Sequence, residues 1–527
     1  MRTLLVWLLS CSVLPCAAQV PFTFALSQDT AVNLTRPRVF ERTGPDRYRV
    51  FGGSGNTDSS WTYSADIDAS GQLTGMRTLR CGENTTNAMP SCMLRAADGG
   101  MLIAFGRPVP GANAFSFVRT AADGTVQWYR NYPGSTGHHL VDSDRALVEK
   151  DGHYFGLGRF TAGPSNAGNA TTLVELDSNG VCVAERLWAG GDVWSGEGQG
   201  IVRTADNGLL TVAVEHPYSS NSSWPTLSVQ HWNAELAIDW SNRYSLGYLH
   251  GGMRVLATAD GGSFITGYVY PTMGSSQYPF FLRLSATGEV LWARRGTTVF
   301  VVPQGAVEEP DGGFALCLYQ PQSTPIVARL AADGTLLTAQ RADAFDMPVT
   351  PWGITRDADT GEHLVRATAA NNTTYLFRLD ADLGFACAST PVTWDDVAVT
   401  PVVTAFPVTV TTAPVLSTDT VWSAHAADFT AVDACLSTAV PGTAHTALEA
   451  WPVPSEADVR IRWHDAPSTG VAYTLTDALA RVAATGTAQR GADGVFAIPL
   501  DALTVGSYVL HLTSGSAQRT VRVVRAE

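Results

Sequence analysis

Turn signals recur along this chain at a nearly constant spacing, and this periodicity constrains the fold more than any other feature. The first turn of each repeat contains an aspartate, and successive aspartates are 48 to 55 residues apart: Asp46, Asp98, Asp151, Asp206, Asp260, Asp311 and Asp359. A second turn follows, with a glycine in six of the seven repeats: Gly71, Gly124, Gly180, Gly288, Gly334 and Gly384. In the fourth repeat, Leu236 stands in that place. Two independent turn signals that keep one period indicate a repeated structural unit.

Each repeat has the pattern of four β-strands, which the fifth repeat shows most clearly. Its strands are MRVLATA, SFITGYVY, PFFLRLS and EVLWARR, where alternation is mixed with short apolar runs. Asp260 and the two glycines after it then form the turn between the first two strands, rather than a ligand site. A four-stranded sheet of this size cannot bury both faces alone, so the repeats must stack.

This organisation predicts an all-β fold with a seven-bladed β-propeller over residues 37–436. An open array of β-sandwiches is the alternative, but short connections between repeats favour closure into a ring. If the first strand of each blade is innermost, the tight turns share one face and the long irregular segments lie on the other. We expect ligand contacts on that second face, from Tyr132, His138, Trp188, Trp194, Trp224, Tyr248, His250 and Trp352. Any one of these side chains could instead seal a junction between blades.

Charge and motif content narrow the function. The net charge is −14, so a nucleic-acid partner is not expected. Lys150 is the only lysine, which argues against Schiff-base chemistry and a lysine phosphate clamp. The sequence has no nucleophile elbow, Walker loop or HExxH motif. We therefore expect a non-catalytic binding protein for a glycan or peptide, and a secreted hydrolase or lyase acting on glycans is the alternative.

No cofactor is expected, although one segment resembles a calcium loop. DADTGEH has alternating acids at Asp357, Asp359 and Glu362, but it lies on the first turn of the seventh repeat. An EF-hand loop needs more ligands than this and a distant glutamate. The segments ADGTVQW and LSATGEVLWA resemble the glycine-to-tryptophan docking motif of quinoprotein propellers. That resemblance implies that Trp128, Trp240 and Trp292 join neighbouring blades and hold no cofactor.

The N-terminus has the order of a secretory signal. Arg2 precedes an apolar core from Leu4 to Leu14 and then small residues, which predicts a signal peptide over residues 1–18. A lipoprotein signal with Cys16 lipidated is the alternative, although Pro15 stands where a small flexible residue is expected. No later stretch approaches the length of a membrane span.

The exported chain would keep six of the eight cysteines. Cys81 and Cys92 bracket a polar loop, and Cys387 and Cys435 flank the end of the repeat region, so we predict these two bridges. Cys182 and Cys317 lie within apolar strand patterns and are expected to be buried thiols.

A small-residue linker over 437–446 leads to a separate module over 447–527, with short strands and frequent turns typical of a small β-sandwich. The module also closely resembles the C-terminal sorting domain (type A) of the bacterial type IX secretion system. WPVPSEADVRI, YTLTDALARV, IPLDALTVGSYVLHL and the terminal RVVR carry this resemblance, through Trp451, Pro452, Pro454, Asp477, Gly506 and Tyr508. Trp451 and Val453 depart from the usual Tyr-Pro-Asn-Pro opening, and Ala480 replaces the glycine of Asp-x-x-Gly.

The resemblance implies an export route rather than an activity. Family members cross the inner membrane by a signal peptide and the outer membrane of a Gram-negative cell by this domain. They are then released or remain at the cell surface, and the type IX machinery is the implied partner.

Overall fold

The computed structural model describes residues 22–27, 36–55, 60–68, 73–81, 90–105, 116–132, 138–140, 145–160, 170–190, 193–217, 226–249, 251, 253–272, 275–297, 301–320, 324–342, 348–369, 373–380, 382–385, 389–406, 408–413, 418–419, 422–425, 430–433, 448–451, 457–463, 470–477, 481–491, 495–514 and 517–525. The chain divides into two compact units, Met1–Thr438 and Ala439–Glu527. Every regular element in these ranges is a β-strand, which confirms the predicted all-β class. The described part contains no helix long and apolar enough to cross a membrane.

The first unit begins with β1 (Phe22–Ser27), and the following strands form sheets in chain order. Sheet 1 consists of β2 (Arg36–Gly44), β3 (Arg47–Gly55), β4 (Ser60–Asp68) and β5 (Leu73–Cys81). Sheet 2 consists of β6 (Pro90–Arg95), β7 (Met101–Phe105), β8 (Ser116–Thr120) and β9 (Val126–Asn131). Sheet 3 consists of β10 (His138–Leu140), β11 (Leu147–Lys150), β12 (His153–Phe160), β13 (Ala170–Leu176) and β14 (Cys182–Gly190).

Four further sheets follow the same antiparallel order. Sheet 4 consists of β15 (Val193–Arg203), β16 (Leu209–Pro217), β17 (Thr226–Trp232) and β18 (Ile238–Ser245). Sheet 5 consists of β19 (Tyr248–Leu249), β20 (Arg254–Ala257), β21 (Ser263–Tyr270), β22 (Tyr278–Leu284) and β23 (Val290–Gly296). Sheet 6 consists of β24 (Val302–Glu308), β25 (Phe314–Tyr319), β26 (Ile326–Leu330) and β27 (Leu336–Ala342). Sheet 7 consists of β28 (Val349–Arg356), β29 (His363–Ala369) and β30 (Thr374–Arg378), and β1 pairs with β30 as its fourth strand.

The seven sheets are joined in a closed, propeller-like ring. Their first strands contact one another in the cyclic order β2, β6, β11, β15, β20, β24, β28 and back to β2. In sheets 3 and 5, β11 and β20 hold this place, because β10 and β19 pair with other residues of the same second strands. A buried apolar cluster lies at each of the seven junctions, including one that joins sheet 7 to sheet 1 through Leu364, Leu376 and Phe40. Each sheet therefore buries both faces against its neighbours, as the repeat pattern requires.

The segment 389–433, called the return segment below, adds one outer strand to every sheet. Its strands are β31 (Ser389–Pro391), β32 (Asp396–Ala398), β33 (Val402–Ala405), β34 (Val408–Ala413), β35 (Thr418–Asp419), β36 (Trp422–His425) and β37 (Thr430–Asp433). They pair antiparallel with the outer strands of sheets 6, 5, 4, 3, 2, 1 and 7 in turn. The segment thus runs around the ring against the order of the repeats and covers the outer sheet edges, which would otherwise expose unpaired backbone groups.

The turns have the backbone conformation that their glycines indicated. Gly99, Gly261 and Gly312 have φ of 83°, 85° and 79° in the first turns of their repeats. In the fourth repeat, Leu236 takes a φ of 62° without the glycine that normally tolerates it. In the seventh repeat the positive φ lies at Leu383 rather than at Gly384, so the predicted turn position there is displaced by one residue.

The second unit has two sheets around one apolar cluster. Its strands are β38 (Leu448–Trp451), β39 (Asp458–Trp463), β40 (Gly470–Asp477), β41 (Val482–Gln489), β42 (Phe496–Pro499), β43 (Gly506–Ser514) and β44 (Ala517–Arg525). The sheet orders are β38-β39-β42 and β41-β40-β43-β44. Val459, Trp463, Phe496 and Leu510 are among the buried residues that the two sheets share.

Two residues of the sorting resemblance have defined positions here. Tyr508 is buried, and its hydroxyl donates to the carbonyl of Thr504 at 2.7 Å, so its role in the structure is to fix the approach to β43. Gly506 has no left-handed φ, and a Cβ there would meet nothing closer than 3.9 Å. A variant with a β-branched residue at this position is therefore expected to fold. Pro452 and Pro454, and the side chains of Trp451 and Asp477, lie outside what the structure describes.

Of the four cysteines in the two predicted bridges, one has a side chain in the described part of the chain. Cys92 is buried, whereas the side chain of Cys81, and both Cys387 and Cys435, lie outside the described residues. We expect mass mapping of the exported protein, alkylated without reduction, to recover Cys81–Cys92 and Cys387–Cys435 as linked peptides. The second bridge closes a long loop and would contribute about 4 kcal/mol to the free energy of unfolding in the chain-entropy model. Recovery of either pair as alkylated thiols would contradict this prediction.

Candidate binding site

The aspartate of the first turn forms hydrogen bonds and an ion pair within its own sheet. Asp260 accepts hydrogen bonds from the Gly262 amide at 3.0 Å and the Thr258 hydroxyl at 2.7 Å, and it pairs with Arg283 at 2.6 Å. Partial burial raises the pKa of Asp260, but the hydrogen bonds from Thr258, Arg283 and Gly262 outweigh it and lower the pKa to about 2. The carboxylate therefore stabilises the turn, as the sequence pattern predicts.

The same arrangement recurs in other sheets. Asp98 pairs with Arg119 in sheet 2, and Asp311 pairs with Arg329 in sheet 6. These arginines and Arg283 occupy one register position on the third strand of their sheets, opposite residues 128, 338 and 292. In sheet 4, His231 holds this position and contacts Asp206.

Tryptophans on the fourth strands join neighbouring sheets, as the docking-motif resemblance implies. The indole nitrogen of Trp292 in sheet 5 donates to the Ala332 carbonyl of sheet 6 at 2.9 Å. Its ring lies so close to Gly334 that a Cβ there would be 2.7 Å from it. Trp128 and Trp240 make the equivalent contacts to the turns of sheets 3 and 5. These tryptophans are structural residues of the junctions.

Two of the predicted ligand-binding residues are not available to a ligand. Tyr132 is fully buried, and its hydroxyl donates to the Gly180 carbonyl at the junction of sheets 2 and 3. Trp188 is also buried and packs edge-on against Trp232, with ring centroids 5.2 Å apart. Both residues therefore seal a junction between sheets, which is the alternative given above for these aromatic side chains, because large rings fill the wedge between diverging sheets.

Of the other predicted residues, only Trp352 has a side chain in the part of the chain that the structure describes. Trp352 is half-buried, donates to the Thr368 hydroxyl at 3.0 Å and lies under the Arg38 guanidinium. His138, Trp194 and Tyr248 lie on β10, β15 and β19, but nothing is described of their side chains. Trp224 and His250 lie outside the described residues.

The acids of DADTGEH do not converge on one point. The Asp357 carboxylate accepts hydrogen bonds from the amides of Asp359 and Thr360 and from the Thr360 hydroxyl. Glu362 is buried and faces Arg378 at 3.5 Å. Because the first carboxylate stabilises its turn and the other faces an arginine, we do not retain this segment as a calcium site.

A cavity of about 520 Å³ lies among the first strands, at the end where these strands enter their turns. It is lined by residues from sheets 2 to 7, including Leu94, Arg145, Leu147, Ile201, Arg203, Leu256, Glu308 and Arg356. Since the first strands form the inner ring, this cavity lies at the centre of the ring. It is on the turn side, opposite the face that the sequence predicted for binding.

Backbone contacts across the ring hold the cavity's charged residues. The backbone carbonyl of Arg145 accepts a hydrogen bond from the Ile201 amide at 2.6 Å, and the guanidinium of Arg145 donates to the Ala306 carbonyl at 3.3 Å. Glu308 accepts from the Ala259 amide at 2.8 Å, which occupies one of its oxygens. The cavity wall is therefore anchored to several sheets at once.

Two further arginines, Arg203 and Arg356, line the cavity together with Arg145 and the single lining carboxylate, Glu308. Arg203 is exposed and bonds the Asn207 side chain at 3.0 Å, which leaves its charge unneutralised by that contact. Arg356 lies 3.5 Å from Glu309, whose other oxygen contacts His363. Guanidinium groups bind carboxylate, sulfate and phosphate groups in a planar, two-point geometry.

Several cavity-lining residues share one position in the sequence repeat. Val148, Arg203, Ala257, Glu308 and Arg356 each lie three residues before the first-turn aspartate of their repeat. The repeat places all of them at one level of the inner ring, so arginine at this position marks the cavity wall.

No protein-family model and no curated protein matches the chain. Among solved structures, it is similar to an ulvan lyase of polysaccharide lyase family PL25, with 10% identity, a TM-score of 0.39, and coverage of 71% of this chain and 96% of that one. It is also similar to Sqt1 of Chaetomium thermophilum, with 12% identity, a TM-score of 0.31, and coverage of 67% and 83%. It is also similar to an endo-1,5-alpha-L-arabinanase from Thermotoga petrophila RKU-1, with 9% identity, a TM-score of 0.24, and coverage of 64% of this chain and 82% of that one. These similarities are too distant to assign an activity to this chain.

Proposed function

We propose that this chain is an exported binding protein, built on a seven-bladed β-propeller, that recognises an anionic extracellular ligand in the cavity at the centre of its ring. One observation carries the binding function. Arg145, Arg203 and Arg356 come from three different sheets to line one cavity, in a chain whose net charge is −14. Three arginines against one lining carboxylate, Glu308, leave an excess of positive charge in the cavity wall, and such an excess attracts anions.

The seven sheets support the propeller assignment. Each is an antiparallel unit of four strand positions, and in sheets 3 and 5 the first position is divided between two short strands, β10 with β11 and β19 with β20. One strand of this first position lies in the inner ring in every sheet, and apolar clusters join all successive pairs. The return segment gives each unit an additional outer strand.

The second unit supports the export route. It has its own buried core, and it corresponds to the module whose ordered motifs resemble type IX sorting domains. Together with the predicted signal peptide, this favours a protein released from, or held at, the surface of a Gram-negative cell. The C-terminal unit would then be a β-sandwich that engages the secretion machinery.

The cavity wall indicates the chemistry of the ligand. Its arginines suit carboxylate or sulfate groups, and the partly exposed Leu94 adds apolar surface to the lining beside them. An acidic glycan has both kinds of surface, since the faces of its sugar rings are apolar. We therefore propose acidic glycans as the ligand class.

The binding site can be tested with arrayed acidic and neutral glycans. We expect the mature protein to bind acidic glycans and not their neutral counterparts, with affinity falling as salt rises. Arg203→Ala and Arg356→Ala should each weaken binding by about tenfold or more, because a hydrogen bond to a charged group contributes about 1.5–3 kcal/mol.

Arg460→Ala is the matched control, since Arg460 is exposed on the second unit and its loss changes the net charge equally. Equal binding by all three variants would overturn the cavity as the site. New reducing ends or unsaturated products in the same samples would favour the alternative, a glycan-degrading hydrolase or lyase.

A further inference from the structure

We propose that sheet 4 contains a binding site for a divalent transition-metal ion, formed by Asp206, His231 and Asp239. One ligand atom from each residue can be chosen so that all three lie within 4.8 Å of one another. The site is separate from the cavity at the centre of the ring and does not depend on the proposed function.

Comparison with the other repeats shows that this position lacks the arginine that pairs with the turn aspartate in sheets 2, 5 and 6. In sheets 2, 5 and 6 the turn aspartate pairs with an arginine, Arg119, Arg283 or Arg329, so the charges balance. In sheet 4 the arginine is replaced by His231, and a second acid is added at Asp239. The equivalents of Asp239 in those three sheets are the uncharged Gln127, Leu291 and Leu337. The two carboxylates together carry a charge of −2, which a divalent ion would balance.

The donor atoms are oriented toward one another. Asp206 uses Oδ1 to accept from the Thr204 hydroxyl and the Gly208 amide at 3.2 Å, while its Oδ2 lies 3.3 Å from Nε2 of His231. The Asp239 Oδ2 lies 3.2 Å from Nδ1 of His231. An ionised carboxylate is the form that binds a metal ion.

His231 is buried and only partly satisfied. The His231 residue is 7% exposed, and its Nδ1 forms no hydrogen bond although Asp239 Oδ2 lies 3.2 Å away. A neutral imidazole between two carboxylates must present a lone pair to one of them, which is repulsive. A metal ion bound to one ring nitrogen occupies that lone pair and removes this repulsion.

The fold around the cluster fixes its geometry. The pairing of β17 with β18 shifts register between His231 and Trp232, which makes Asp239 a bulged residue, and bulges can redirect a side chain. The His231 ring stacks on Trp240 at 13° with centroids 5.8 Å apart, so its orientation is held. The side chains of Asp206 and Asp239 are 54% and 47% exposed, so an ion and its coordinating waters can reach the site from solvent.

The donor set selects the class of ion. One imidazole nitrogen with two carboxylates and water is a ligand set for Zn²⁺ and related first-row ions. Ca²⁺ and Mg²⁺ prefer oxygen ligands only. Zn²⁺ is therefore the appropriate probe.

The test is a calorimetric Zn²⁺ titration of the tag-free mature protein, with thermal melts in parallel. We expect saturable uptake that includes one site sensitive to substitution at His231 and Asp239, and a higher melting temperature with Zn²⁺ present. His231→Arg recreates the pair found in sheets 2, 5 and 6, so it should fold without metal. It should also lose this site and most of the Zn²⁺-dependent stabilisation. Asp239→Asn should weaken uptake at the site at least tenfold.

Asp311→Asn is the matched control, because Asp311 is the turn aspartate of sheet 6 and should leave Zn²⁺ binding unchanged. The proposal is overturned if the wild-type protein shows no saturable uptake. It is also overturned if His231→Arg and Asp239→Asn both bind Zn²⁺ as the wild type does, since the ion would then be held elsewhere.

Discussion

A chain truncated before Ala447 is expected to remain in the periplasm as a folded, soluble protein, whereas the full-length chain reaches the cell surface or the medium. The reason is that the proposed address lies entirely within the second unit. That unit has its own apolar core, formed by residues such as Val459, Phe496 and Leu510. The repeat region should fold without it, because its seven apolar clusters draw only on residues before 439. Cell fractionation with blotting measures the distribution directly.

A substitution in the sorting module distinguishes loss of the export signal from loss of the module's fold. Gly506→Val should be exported if the module needs only its fold there, because the backbone at Gly506 has no left-handed φ and a Cβ has room. Retention of this folded variant would mean that the secretion machinery reads the glycine itself. Export of the truncated chain at the efficiency of the full-length chain would refute the type IX assignment.

Gly334→Ala is expected to reduce the free energy of unfolding by about 3 kcal/mol, the largest effect we predict for one methyl group. A left-handed φ of 81° costs a non-glycine residue about 1–2 kcal/mol. The new Cβ would also lie 2.7 Å from the Trp292 ring, and overpacking of this kind costs about 1–3 kcal/mol. Urea denaturation and thermal melts of the mature protein, followed by tryptophan fluorescence, would measure the loss.

Gly261→Ala is the matched control, since it has a similar φ of 85° but its Cβ would meet nothing closer than 3.8 Å. It should show the conformational cost alone. In a Trp292→Ala background, Gly334→Ala should become as mild as Gly261→Ala, because the ring that it contacts is gone. Equal losses for Gly334→Ala in both backgrounds would show that Trp292 does not join sheets 5 and 6 in this way.

Local sequence was sufficient to predict the repeated unit. A turn residue such as Gly261 and alternating apolar residues such as those of β21 depend on neighbours within a few positions, so the unit can be read along the chain. The docking tryptophans were also recognisable, because each precedes its partner turn by about one repeat. The residues before the turns carried a signal for the cavity, in Arg203 and Arg356, but it has meaning only when the first strands share a ring.

Long-range pairing was not predictable in the same way. β1 pairs with β30, far along the chain, and supplies the fourth strand of sheet 7, so the region that forms the ring begins before residue 37. The return segment keeps no turn period, and its role appears only once the outer sheet edges exist. The ligand-binding residues could not be predicted from aromatic side chains for a related reason. A large ring such as that of Trp188 suits a ligand surface and a sheet junction equally well.

The sequence by itself determined the β-class, the repeat and the four-strand unit, because turn chemistry and strand alternation are short-range properties. Only the tertiary structure decided the ring contacts, the return segment and the clusters that have chemistry. Asp206, His231 and Asp239 are separated by 25 and 8 residues, and they meet because strand register and one bulge bring them together. Arg145, Arg203 and Arg356 meet because ring closure places three distant first strands around one cavity. Register and closure are set by packing over the whole unit, and no local segment encodes them.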